Sequence, residues 1–78
     1  MTQNEVVLVH LRYVGELSPV EAMERYGIMR LGARIWDLRR EGHRITRTMK
    51  SGTNRYGEPV RYALYRLSRE ETDDAQTD

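Results

Sequence analysis

Residues Ser18–His43, SPVEAMERYGIMRLGARIWDLRREGH, decide how this chain folds. Ser18 stands where a helix needs a side-chain acceptor for its unpaired backbone N–H groups, Pro19 follows at the first helical position, and Glu21 completes a capping box. Val20, Met23 and Tyr26 then form the expected buried side of a short helix. Gly27 closes it, because glycine adopts the left-handed backbone of a helix end at little steric cost. A second helix is predicted from Met29 to Glu41. Ile28, Leu31, Ile35 and Leu38 repeat at three- and four-residue steps along it and make one apolar stripe. Gly42 ends it.

Outward from this pair, the preceding segment predicts another helix over Gln3–Val14. Thr2 and Glu5 form a capping box, Val7, Leu8, Leu11 and Val14 face the core, and Gly15 stops the helix. On the other side, Arg44–Lys50 alternates imperfectly, with Ile45 and Met49 on one face. Residues 51–57, SGTNRYG, are rich in turn formers. Val60–Leu67 then resumes strand-like alternation, with Pro59 suited to its start and with Tyr62 and Tyr65 on opposite faces. Two helices joined by a glycine turn, followed by a basic ribbon, have the shape of a helix-turn-helix with a wing. The expected fold is α+β: a winged helix-turn-helix of three helices followed by a two-stranded β-hairpin. It occupies residues 1–69, and residues 70–78 form an acidic segment expected to be disordered.

The net charge of +1 hides a strong segregation. Residues 1–29 carry −2, residues 30–69 carry +8, and residues 70–78 carry −5. Eleven arginines and lysines in the middle segment give the electrostatic footprint expected of a polyanion binder. The chain has no cysteine, hence no disulfide and no thiolate nucleophile or ligand. No basic leader followed by an apolar run is visible, and no apolar stretch approaches the roughly 20 residues needed to span a bilayer. A soluble, cytoplasmic protein is therefore expected, in the reading below that of a bacterial host cell.

On the second helix of the pair, turning about 100° per residue from the apolar stripe places Arg30, Ala33, Asp37 and Arg40 opposite it, with Met29 and Arg34 flanking. Arg30 and Arg34 suit bidentate contacts to guanine, worth about 1–3 kcal/mol of discrimination each. Ala33 permits close approach and can touch a thymine methyl group, and Arg40 suits a phosphate. Asp37 either accepts from a cytosine amino group or orients Arg34 or Arg40. At the ribbon's tip, Lys50, Thr53, Asn54 and Arg55 suit the phosphate backbone or the minor groove. Trp36, at the edge of the stripe, is expected to cover one side of the hairpin. His10 and His43 are expected to be partly exposed structural residues. Neither has a partner at a metal-ligand spacing, and no catalytic constellation or phosphate loop is present. The expectation is a non-enzymatic protein without metal or cofactor.

Residues 18–43 resemble the core of small helix-turn-helix proteins common in bacteriophages and prophages. The likeness rests on Ser18, Pro19, Glu21 and Ala22 at the start and on Tyr26–Gly27 at the turn. It continues through Arg30, Leu31, Ala33, Arg34, Ile35, Asp37, Leu38, Arg39, Gly42 and His43. Asn54–Arg55–Tyr56–Gly57 and Tyr65–Arg66–Leu67 resemble that family's ribbon, and the likeness spans most of residues 6–67. Gly32 departs from the family's usual alanine. The resemblance implies a winged helix-turn-helix and a phage or prophage setting. The expected partner is double-stranded DNA, bound as a transcriptional regulator or an excisionase-like architectural factor, and because one module this small buries limited surface, a homodimer or side-by-side assembly on DNA is the open alternative to a single copy. The alternative is a protein-interaction module whose basic face docks an acidic host or phage protein.

The acidic segment is a candidate competitor for the basic half of the domain. Deleting residues 70–78 is expected to raise affinity for duplex DNA at low salt in a fluorescence titration; unchanged affinity rules this competition out.

Overall fold

The structure, a computed structural model, describes residues 1–68. Its elements run α1 (Gln3–Tyr13), β1 (Glu16–Leu17), α2 (Pro19–Tyr26), α3 (Leu31–Arg40), β2 (Ile45–Thr53) and β3 (Pro59–Leu67). The ribbon is not a two-stranded hairpin: β1 pairs antiparallel with β3, giving a three-stranded sheet ordered β1-β3-β2. Only Glu16 and Leu17 make the extra strand, opposite Arg66 and Tyr65. A strand of two residues is too short to show alternation, so its sequence carries no pattern to read. Arg69 and the acidic residues 70–78 lie outside the described residues.

The capping chemistry forms as the sequence dictates. Thr2 Oγ1 accepts from the Glu5 N–H at 3.1 Å while Glu5 Oε1 accepts from the Thr2 N–H at 2.8 Å. The hydrogen bond from the Thr2 backbone holds the Glu5 carboxyl below its ordinary range, so this cap is complete above that range and is lost on acidification. Ser18 Oγ accepts from the Glu21 N–H at 3.2 Å, with Pro19 in the first turn of α2. At the other end of α2, Gly27 takes φ +70°, which lets its N–H reach Met23 O at 2.9 Å and the Ile28 N–H reach Ala22 O at 3.2 Å.

One core gathers Val7 and Leu11 of α1, Leu17 of β1, Ala22 of α2, the stripe Ile28, Leu31, Ile35 and Leu38, and Ile45 and Tyr65 of the sheet. The stripe on α3 is fully used, as its spacing predicts. The inner side of α2 differs: Val20, Met23 and Tyr26 are exposed and Ala22 alone is buried. An eight-residue helix pressed close to its neighbours through a small side chain leaves the larger ones at its margins. Val14, past the end of α1, is exposed as well.

His10 is the buried polar residue of the core, 3% exposed rather than partly open. Its Nε2 faces the Glu16 carbonyl at 3.0 Å and its Nδ1 faces Tyr26 Oη at 2.6 Å. A carbonyl can only accept, so Nε2 carries a proton, and in the neutral imidazole Nδ1 then accepts from the Tyr26 hydroxyl. One imidazole thereby ties α1 to β1 and α2. Glu16 contributes a second link, because its Oε2 accepts from Arg66 Nε at 3.1 Å and Nη2 at 2.9 Å across the β1–β3 pair.

Gly32 sits in the first turn of α3, where an added Cβ would meet only Tyr65 Oη at 4.0 Å, an ordinary contact. Gly32→Ala is expected to stabilise the domain by about 0.4–1 kcal/mol, chiefly by restricting the unfolded chain, raising the thermal midpoint by roughly 2–8 °C. A lowered midpoint in a calorimetric scan would contradict this reading of the site.

Candidate nucleic-acid interface

The buried stripe fixes how α3 is turned. With Leu31, Ile35 and Leu38 inward, one flank of the helix meets α1 and the other meets the sheet. On the α1 flank, Asp37 Oδ2 pairs with Arg34 Nη2 at 3.4 Å and accepts from Asn4 Nδ2 at 3.4 Å. Arg34 lines a groove there with Asn4, Glu5, Leu8, Leu38 and Glu41. On the sheet flank lie Gly32, beside Tyr65, and Arg39, whose Nε and Nη2 both donate to Ile45 O at 3.0 and 2.8 Å. That fork clamps the start of β2 to α3, so the ribbon cannot swing freely from the helix.

The outward face is what remains: Ala33, Trp36 and Arg40. Trp36 does not cover the hairpin. It is 58% exposed, and the Arg40 guanidinium lies 4.6 Å above its ring centroid. Helical rotation explains the placement, since position 36 stands about 140° from Leu31 and well off the stripe. Met29 is 76% exposed. Arg30 is exposed at the N-cap, with φ −126° and ψ 68°, so α3 begins at Leu31 rather than at Met29. The Arg30 carbonyl accepts from the Ala33 and Arg34 N–H groups, while its side chain makes no capping bond.

The ribbon adds a second surface. Strand register places Arg47 opposite Tyr65, Met49 opposite Ala63 and Ser51 opposite Arg61, and alternation puts all of them on one face. Tyr65 is buried against α3 on that face, so Arg47, Ser51 and Arg61 continue it outward on the side of the helix. Lys50, opposite Tyr62, stands on the other face. The strands also run further than the turn-rich sequence predicts, with β2 extending through Thr53. Thr53 and Arg55 are exposed near the tip. Asn54 is consumed internally: its Oδ1 accepts from the Tyr56 and Glu58 N–H groups at 2.9 and 3.0 Å, and its Nδ2 donates to Glu58 Oε1 at 3.1 Å. It shapes the tip instead of presenting donors.

Of the residues singled out by sequence, Ala33 and Arg40 thus share the outward face of α3 with Trp36. Arg34 and Asp37 face each other and α1, Arg30 stands at the helix entrance, and Lys50, Thr53 and Arg55 lie along the outer half of the ribbon. Arg47 and Arg61 were not singled out. Their signal was parity with Tyr65 along each strand, readable only once the buried face and the register are known.

Helices α2 and α3 joined by a tight turn, with a ribbon clamped beside α3, form a winged helix-turn-helix. Residues 2–70 match the family model described as a winged helix-turn-helix domain. The chain belongs to this family. Membership in the winged helix-turn-helix family implies binding to DNA. No curated protein and no solved structure matches the chain. Among the described residues no three His, Asp or Glu side chains cluster as metal ligands would, and no helix is long and apolar enough to cross a membrane.

Proposed function

We propose that the protein binds double-stranded DNA with the outward face of α3 in the major groove and the α3-side face of the ribbon along the adjoining phosphate backbone. The observation that carries this reading is the meeting of two exposed surfaces at the Arg39–Ile45 clamp: a helix face bearing Trp36 and Arg40, and a strand face bearing Arg47 and Arg61. Three cations on two adjoining surfaces suit a helix seated between phosphate strands. In this reading the assignments from sequence divide. Arg40, Arg30 and the ribbon residues Thr53 and Arg55 contact backbone, Lys50 stands on the far face of the ribbon, Ala33 lies against bases, and Arg34 pairs with Asp37, which Asn4 of α1 also bonds.

A transcriptional regulator or an excisionase-like architectural factor of a phage or prophage, acting in the cytoplasm of a bacterial host, is the biological setting we infer, supported by the resemblance of residues 18–43. Side-by-side copies on DNA belong to the same reading, because a single small module covers limited surface. The second reading, a protein-interaction module with no catalytic role, is favoured by a different place: Val9, Tyr13 and Val14 are exposed together with Met1 and Tyr26 along the outer side of α1.

The test is the anisotropy of a labelled random duplex titrated at ~50 and ~200 mM salt. Several phosphate contacts predict a steep loss of affinity over this range, and each of Arg47→Ala and Arg61→Ala should lower the slope of log K against log[salt] by about 0.9. No binding at the lower salt would overturn the DNA reading in favour of the protein partner. A full slope in both variants would move the backbone contacts off this face of the ribbon.

A further inference from the structure

The outward face of α3 is centred on apolar groups, not on arginines. Ala33 and Trp36 occupy it, and the cation beside them, Arg40, lies over the indole instead of projecting alone. A tryptophan that is 58% exposed on a small domain has lost most of the burial that usually justifies its size. The core does not need it there: the stripe from Ile28 to Leu38 is already closed beneath it. The stacked guanidinium favours the orientation of the indole that it covers, so less rotamer freedom remains to be lost when a ligand covers it.

Among base edges in the major groove, the apolar group is the 5-methyl of thymine. We propose that Trp36, with Ala33 beside it, packs against thymine methyl groups and makes the protein select sites with thymine under the middle of α3. This rests on the DNA-binding reading and deepens it by naming the base feature recognised. Arg40 acts as a positioning residue for the indole. Arg34 is paired with Asp37 on the α1 flank, so the apolar groups stand nearer the middle of the outward face than it does.

The experiment selects a tightly bound duplex from a random pool with the wild-type protein, then resynthesises it with uracil in place of thymine at each position in turn. Uracil pairs as thymine does but lacks the methyl group. One or two positions should each show about a fourfold loss of affinity, the value of one buried methyl-sized group. Trp36→Ala should bind the thymine duplex more weakly and be indifferent to uracil at those positions, whereas Trp36→Phe should keep part of the sensitivity. Trp36 is the chain's sole tryptophan, so protection of its fluorescence from acrylamide on adding the duplex gives a readout that needs no variant. Wild-type binding that is insensitive to uracil at every position, or full sensitivity retained in folded Trp36→Ala, overturns the proposal while DNA binding stands. Failure of the wild-type protein to retain any duplex overturns the DNA-binding reading itself, and this proposal with it.

Discussion

Burial of one stripe on α3 is the constraint from which the rest of the molecule follows. Ile28, Leu31, Ile35 and Leu38 are each almost fully removed from water, and together they form the largest contribution of any segment to the core. Burying side chains of this size stabilises by roughly 1.5–3 kcal/mol each, more than any surface ion pair on the helix can offset. The stripe therefore sets the rotation of α3, and the rotation sorts its charged residues. Arg34 and Asp37 turn to α1, Arg39 turns to the sheet, and Arg40 is left with Trp36 on the open side.

Polar contacts then tie the helices to the base of the ribbon. His10 joins α1, β1 and α2, Glu16 joins β1 to β3 through Arg66, and the Arg39 fork joins α3 to β2. Their effect is geometric: they hold the α3-side face of the ribbon at a fixed angle to the outward face of the helix. A backbone contact by Arg47 or Arg61 and a base contact from α3 can then be made at once without ordering a hinge on binding. The short β1 matters for this reason, since it anchors the base of an otherwise projecting ribbon to the helical part of the domain.

Much of the fold was legible because its signals are local. Thr2 with Glu5, Ser18 with Pro19, and Gly27 each specify a helix end through chemistry within a few residues. The stripe on α3 was legible because four large aliphatics share one period. What escaped depends on contacts distant in sequence. A two-residue strand has no pattern of its own, and His10 gives no hint that a carbonyl six residues on and a tyrosine sixteen residues on will enclose it. The candidate interface was half legible for the same reason. Ala33 and Arg40 on the outward face follow from helical rotation, and the Arg34–Asp37 pair from their spacing, but the Asn4 side chain that reaches Asp37 from α1 is invisible in sequence. Trp36 was assigned to packing from its size, although its angle from the stripe already placed it outside. Arg47 and Arg61 were lost because cations occupy both faces of the ribbon, which erases the alternation by which a strand shows its buried side.

The central claim is one of place, and amide chemical-shift mapping tests it most directly. Titrating an unlabelled duplex into the isotope-labelled protein should perturb Gly32, Ala33, Trp36 and Arg40 together with Arg47, Met49 and Arg61, while Val9 and Tyr13 on the outer side of α1 stay unmoved. Perturbations gathered on α1, with α3 and the ribbon silent, would contradict the account.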